Sequence, residues 1–326
     1  WYDFGADAAD YYPELSAALR DLTDGPVGYD PTELMAVAVS EDETTPHQRL
    51  LDRTKRRQRE RGYPAAGSLT DLSPSAARDR IDGLARPTAA FAYENAARLD
   101  GRAFRDALQT AVEALGGTVR TEAVERLSVV DDAVRAVHTS DRRQAAASVT
   151  VAGGAWSSEF ERSLGVDLPV SPTRGQIAHL RTSAETASWP ILTAHRGHYM
   201  VPWDDGRVVV GATREDDAGF DPALTAGGVH EVLAEALRVV PGLQDATLIE
   251  LRVGLRPTSA DRRPILGPLP GLTNAHVATG FGATGLTLAP YAGAVVADAV
   301  TDDDTSGIPD AFLPGREYEC DAVSSQ

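Results

Sequence analysis

The stretch ATGFGATGLTLAP, Ala278 to Pro290, contains Gly280-Phe281-Gly282-Ala283-Thr284-Gly285, the G-x-G-x-x-G spacing of a dinucleotide-binding turn. Such a turn needs a strand before it, a helix after it, and a second strand ending in Asp or Glu roughly 20 residues on to hold the ribose. AHVAT (Ala275 to Thr279) reads as the strand and LTLAPYAGAVVADAV (Leu286 to Val300) as an apolar helix, but the polar turn TDDDTSGIPD follows where the second strand belongs. The stretch is therefore read as a strand-to-helix turn and not as the primary nucleotide site. Its free backbone N–H groups, with the positive end of the helix dipole, suit an electron-rich ligand group. A tight turn with no ligand is the alternative.

Composition bounds the rest. A chain of 326 residues with 42% apolar content can bury a large core and reads as two interleaved domains. Its 31 basic and 48 acidic residues give a net charge of -17, which repels nucleic acid and anionic membranes, so neither is an expected partner. Lys55 is the only lysine and the acids are spread along the chain. That is the surface of a protein adapted to high intracellular salt. Cys320 is the only cysteine, which leaves no intrachain disulfide or cysteine-based zinc site and points to the cytoplasm. Pro290 and Asp298 interrupt the best apolar run, so no membrane span is expected. The chain opens at Trp1, ahead of FGADAADYYPELSAALRDL, which reads as a helix already under way. The sequence is expected to begin inside a longer protein.

Along the chain, ELMAVAVS (Glu33 to Ser40) reads as a strand, HQRLLDRTKRRQRERG as a charged helix, and SPSAARDRIDGL as a short helix with a Ser start signal. Asp100 to Gly117 is the clearest helix, with Phe104, Leu108, Val112 and Leu115 spaced for one buried face. TVRTEAVERLSVVDDAVRAVHT reads as short strands joined by Asp131-Asp132, and AASVTVAGGAWSSEFERSLG as a strand, a glycine turn and a helix. From Pro169 the texture is β-rich with one helix, GGVHEVLAEALRVVPGL, which predicts an antiparallel sheet with a covering helix. His195 and His198 have a three-residue gap that puts them on opposite faces of a strand, so no metal site is expected.

Six stretches carry a resemblance. VAGGAWSSEF (Val151 to Phe160), PVSPTRGQI (Pro169 to Ile177), HYMVP (His198 to Pro202), GRVVVGATREDDAGFD (Gly206 to Asp221), VGLRPTSADRRPILGPLP (Val253 to Pro270) and ATGFGATGLTLAP occur in order. Together they resemble the D-amino-acid oxidase superfamily of FAD enzymes, within the branch of glycine oxidase and the D-amino-acid dehydrogenases. The resemblance implies a Rossmann-like α/β FAD-binding domain (1–25, 99–168 and 251–310), incomplete at its N-terminus. An α+β, antiparallel-sheet substrate domain (26–98 and 169–250) is interleaved with it, and a loose tail (311–326) follows. The family's G-x-G-x-x-G turn and ribose acid are then expected upstream of Trp1.

The same resemblance assigns roles. Gly280, Gly282, Ala283, Thr284, Gly285, Leu286 and Thr287 become the turn that closes on the flavin, with the amides of the last three facing the ring's N1/C2-carbonyl edge. Gly153, Gly154 and Ala155 meet the phosphates or ribose with Trp156 packed nearby, and the main chain of Val124 meets the adenine. Arg256 in GLRP is similar to the family's carboxylate-binding arginine, and Tyr199 in HYMVP to its hydroxyl partner. The substrate implied is a small amino acid or amine carboxylate, with oxygen or an electron carrier as acceptor. Ala283 and Thr284 depart from the Arg-Asn of glycine oxidases, and no cysteine flanks the site, so the FAD is expected to be non-covalent. Two other readings stay open: a non-catalytic remnant acting as a binding protein, and a 2-hydroxy-acid dehydrogenase of the same superfamily.

Overall fold

A computed structural model describes residues 1–318; Cys320 and the end of the expected tail lie outside the described residues. The chain opens on α1 (Tyr2–Leu22), whose buried positions Phe4, Ala8, Tyr12, Ser16 and Leu19 recur every three or four residues. That period is one face of a helix. β1 (Tyr29–Ala38) ends in four buried residues, Met35 to Ala38, as a strand covered on both faces does. α2 (Glu41–Arg61) has Glu41, Asp42 and Glu43 in its first turn and Arg59 and Arg61 in its last, charges that complement the helix dipole, and it ends on left-handed Gly62. β2 (Leu69–Leu72), α3 (Pro74–Arg78) and β3 (Ala89–Leu99) follow, with the Ser73 hydroxyl capping α3 by accepting from the Ala76 amide.

α4 (Gly101–Ala114) corrects the sequence reading. Phe104, Ala107 and Ala111 are its buried residues, whereas Leu108, Val112 and Leu115 are 36%, 45% and 74% exposed. The helix packs on Tyr12 and Leu19 of α1. Small alanines permit that close approach, so the stripe turns toward them and away from the larger side chains.

β4 (Val124–Val130) and β5 (Ala133–Thr139) are joined by Asp131 and Asp132 at φ 49° and 55°, the left-handed pair that a two-residue hairpin turn requires. β6 (Arg143–Ala145), β7 (Val149–Val151) and α5 (Glu161–Leu164) complete this region. β8 (Val170–Arg181), β9 (Ile191–Ala194), β10 (Tyr199–Pro202) and β11 (Arg207–Gly211) precede α6 (Ala226–Val239). β12 (Thr247–Ser259), β13 (Ile265–Pro268), β14 (Ala275–Thr279) and α7 (Gly285–Thr301) close the set.

Eight strands form one sheet in the order β12-β8-β11-β10-β9-β1-β3-β2. It is antiparallel except where β1 and β9 run parallel. Those two strands come from distant parts of the chain, so no hairpin dictates their direction. β12 pairs with β8 from Thr247 to Ser259, so the boundary expected at 250/251 falls inside a continuous strand. A second sheet, β13-β14-β7, has β14 parallel to β7; a third is β4-β5-β6.

α7 runs unbroken through Pro290, as the helix read over Leu286 to Val300 does. Proline cannot donate to the carbonyl four residues back, and the Tyr12 hydroxyl donates to that carbonyl, on Leu286, instead. By length and composition Gly282–Thr301 is apolar enough to cross a membrane. In this fold Leu288, Ala292, Val295, Val296 and Ala299 of α7 bury against Phe4 and Ala8 of α1.

The expected loose tail is a correction as far as residue 318. Phe312 is 0% exposed and packs in the α7 cluster with Ile308. Arg316 donates to both carboxylate oxygens of Asp261 at 2.8 and 2.9 Å. The polar run at 301–306 hid two apolar anchors beyond it.

Candidate functional site

A cavity of about 740 Å³ lies between the eight-stranded sheet and the start of α7. Its floor is one face of β8, β10, β11 and β12, from which Ile177, His179, Tyr199, Val209 and Arg252 project. The register explains the set: Arg252 stands opposite Ile177, Ile177 opposite Gly211, and Gly211 opposite Tyr199, and directly opposed residues share a face. Ala283, Leu286 and Thr287 line the other side.

Arg256 lies four residues along β12 from Arg252, on the same face. Its guanidinium sits over Gly175, where a Cβ would be 2.3 Å from Nη2. Any side chain at 175 would displace the guanidinium. Nη1 donates to the Thr213 carbonyl at 2.9 Å. Among the described residues no carboxylate comes within 4.0 Å of Arg256. Burial pulls its pKa below the usual guanidinium value, opposed by the fields of Tyr199 and Asp216. Tyr199 uses a second glycine: a Cβ on Gly211 would be 3.1 Å from its hydroxyl oxygen. Burial raises the Tyr199 pKa, against the pull of Arg256 and Arg214, so the hydroxyl stays neutral and able to donate.

A buried polar network holds the loop that receives Arg256. Glu215 accepts from Thr213 Oγ1 at 2.6 Å, from Gln176 Nε2 at 2.8 Å and from Arg174 Nη2 at 2.7 Å. This fixes the Thr213 backbone and so the direction of its carbonyl. The sequence reading missed these residues and both glycines. The available signal was a glycine inside each of two predicted strands, which marks close approach.

The glycine turn has the local geometry its sequence demands. Gly280 and Gly282 are left-handed, with φ 77° and 52°. Thr284, at the N-cap of α7, makes no side-chain cap, so the first amides of Gly285, Leu286 and Thr287 lack that acceptor. Thr279 Oγ1, fully buried, donates to the Gly154 carbonyl at 2.9 Å and accepts from Ser157 Oγ at 3.0 Å. These bonds tie the Gly153-Gly154-Ala155 turn to the end of β14. Trp156 is 47% exposed, with its ring 5.3 Å from that of Phe220. Val124 stands at the start of β4, opposite Thr139, and does not line the cavity.

His195 and His198 lie in the turn between β9 and β10 and not on a strand, which corrects the face argument. His195 Nε2 is 3.0 Å from Nδ1 of His47, which is 2% exposed. Burial and the field of His195 push the His47 pKa down to about 4, despite Asp71 and Glu43. A histidine kept neutral by the fold is protonated first in the unfolded chain. Its contribution is therefore intact above the unfolded pKa of about 6.5 and is lost as pH falls toward 4. Urea melts of wild type against His47→Gln are expected to show wild type losing about 2–3 kcal/mol more between pH 7 and pH 4. Parallel pH profiles would refute this.

Comparison with known proteins agrees with this architecture. A family described as FAD dependent oxidoreductase matches residues 1–299. The chain is 36% identical over 309 residues to the uncharacterized oxidoreductase YurR of Bacillus subtilis, covering 94% of this chain and 81% of that protein. It is 34% identical over 181 residues to a glycine oxidase of Pseudomonas putida, covering 56% of this chain and about half, 49%, of that enzyme. Among solved structures, an iminodiacetate oxidase from a Chelativorans species superposes with a TM-score of 0.88 at 35% identity, over 96% of this chain and 84% of that one. A glycine oxidase from Geobacillus kaustophilus gives 0.88 at 25% identity, over 97% and 83%. With the mixed α/β fold and the cavity between the eight-stranded sheet and the start of α7, these matches show that the chain belongs to the FAD-dependent oxidoreductase family.

Proposed function

We propose that this FAD-dependent oxidoreductase oxidises the CH–NH bond of a small amino acid, with Arg256 as carboxylate anchor and Tyr199 as its hydroxyl partner. The observation that carries the reading is the Arg256 guanidinium, seated over Gly175 without a carboxylate of its own. A guanidinium fork held this way matches a bidentate carboxylate.

The residues present fit the cofactor. The uncapped start of α7 opens on the same cavity as Tyr199. Gly285, Leu286 and Thr287 would hold an electron-rich ring edge with their amides, on a turn shaped by Gly280, Gly282, Ala283 and Thr284. Gly153, Gly154, Ala155 and Trp156, with Val124, would hold the nucleotide part non-covalently. FAD, when bound, supplies the acceptor for a hydride and so for two electrons.

The chain's own residues then bind and orient. Arg256 fixes the carboxylate, Tyr199 donates to it, and the apolar side chains of Ile177 and Val209 exclude water around the α-carbon. A neutral amine loses its α-hydrogen as hydride, so no side chain has to remove a proton from carbon.

The test supplies the chain with FAD and follows anaerobic bleaching of the flavin together with amine release. Glycine, D-alanine, N-methylglycine and glycolate are compared. Bleaching and amine release with the amino acids are expected. Bleaching by glycolate and by no amino acid would replace the proposal with 2-hydroxy-acid oxidation.

A further inference from the structure

The cavity reaches well beyond the carboxylate anchor. Arg256 sits over Gly175, on the β12 side of the sheet, whereas the cavity wall continues across the sheet to Tyr93 on β3. The strand register lays an apolar track in between. Val201 stands opposite Val209, and the pairing of Met200 with Leu192 sets Ile191 beside Val201. Ile191 and Tyr93 both stand opposite Leu34 of β1. Val209, Val201, Ile191 and Tyr93 therefore occupy one row on one face of the sheet, and all four line the cavity. Neighbouring strands lie about 4.8 Å apart, which puts Ile191 roughly 10 Å from Val209.

The far end of the track is aromatic. The hydroxyl oxygens of Tyr93 and Tyr63 are 3.5 Å apart, and both side chains line the cavity. Burial is the main cause that raises the pKa of each, so both stay neutral. The ring of Tyr29 stacks on that of Tyr12 at 5.1 Å and 14°, and this pair lines the same cavity. Two guanidiniums of the wall are neutralised by carboxylates, Arg98 by Asp30 and Asp204 and Arg207 by Asp100. This end thus offers ring faces, ring edges and aliphatic side chains, the surroundings that a flat apolar group fills best. A methyl substituent leaves the track to water, and a ring displaces that water from apolar surface.

We infer that the track from Val209 to Tyr93 is a subsite for an aryl group, and that the preferred substrate is an amine carrying one. This rests on the reading of Arg256 given above and adds the substituent. The carboxylate takes the Arg256 fork, and the aromatic ring lies over Val201 and Ile191 against Tyr63 and Tyr93. The ring has two possible attachment points, the α-carbon and the nitrogen. D-Phenylalanine and N-benzylglycine represent them.

The experiment compares wild type with a chain carrying both Tyr63→Leu and Tyr93→Leu, and with Tyr93→Phe, each supplied with FAD. The leucines keep the site apolar and remove both rings, whereas phenylalanine keeps the ring and removes only the hydroxyl. kcat/KM is measured for D-phenylalanine against D-alanine and for N-benzylglycine against N-methylglycine. Wild type is expected to favour one aryl amine over its methyl counterpart. The double leucine variant should lower that ratio about tenfold, the worth of two aromatic contacts, and Tyr93→Phe should retain most of it. Which ratio responds gives the attachment point. Binding of 3-phenylpropionate, which has no amine to oxidise, is measured in parallel by calorimetry against propionate. Tighter binding of the aryl acid by wild type, weakened in the double variant and kept in Tyr93→Phe, supports the inference. Equal Kd values for the two acids in wild type overturn it, even if the double variant does not fold. Turnover of D-alanine or N-methylglycine with no preference for either aryl amine also overturns it and leaves the proposed oxidation standing. Flavin that none of the four amines bleaches overturns that oxidation, and the calorimetry still decides the fate of the aryl subsite.

Discussion

Arg256→Ala is expected to lower kcat/KM for the amino-acid substrate by two or more orders of magnitude while FAD content stays at the wild-type level. In the function proposed above the side chain is the fork that would meet the substrate carboxylate, and truncation would leave that carboxylate in a largely desolvated pocket without its charge-assisted pair. Such a loss is worth about 3 kcal/mol or more, and each 1.4 kcal/mol is about tenfold in rate. Arg256→Lys keeps the charge but not the planar fork and should recover only part. Gly175→Ala should reproduce part of the defect with Arg256 intact, because its Cβ would stand 2.3 Å from Nη2 and displace the guanidinium. A substrate whose carboxylate is converted to an amide gives the decisive comparison. If wild type and Arg256→Ala discriminate equally between acid and amide, Arg256 does not anchor the carboxylate.

What the sequence made legible was local or ordered along the chain. The strand Ala275 to Thr279 and the helix after it were read nearly to the residue, because a glycine-rich turn and an apolar run punctuate them unambiguously. The Asp131-Asp132 turn was legible for the same reason. Arg256 and Tyr199 were named from their motifs; the fold puts Tyr199 in the cavity wall and Arg256 on the same face of β12 as Arg252, which lines it, and their roles are the proposal made above.

The parts that escaped reading depend on what meets what in space. The period of α4 admits a stripe through Leu108 and Val112 as well as one through Ala107 and Ala111, and only the close approach of α1 decides between them. Gly175 and Gly211 have no role in the sequence reading, because the side chains of Arg256 and Tyr199 that lie above them arrive from other strands.

Arg316→Ala is expected to destabilise the protein by about 3 kcal/mol, a fall in Tm of roughly 6 °C at about 2 °C per kcal/mol for a chain of this size. The Arg316 and Asp261 side chains are 11% and 5% exposed, so removing the arginine strands a buried carboxylate. Ser259 Oγ at 3.3 Å and the Arg263 amide at 3.1 Å remain to Asp261, but neither carries a positive charge. The effect should reach the Gly280 turn, which the proposed function places against the cofactor, as well. Arg316 Nη2 and Ser259 Oγ both donate to the Arg263 carbonyl, at 3.1 and 2.6 Å, and Gly280 packs so closely on that carbonyl that a Cβ would come within 3.3 Å of it. Loosening the clamp frees the backbone against which the glycine turn is braced, so retention of FAD through gel filtration should fall along with Tm. Asp261→Asn with Arg316→Gln in one chain separates charge from packing: it removes both charges at once and should recover part of the lost stability. A Tm within 1 °C of wild type for Arg316→Ala, by the same roughly 2 °C per kcal/mol scale, would mean that the segment around Arg316 is the loose tail its composition suggests and not a brace for the site.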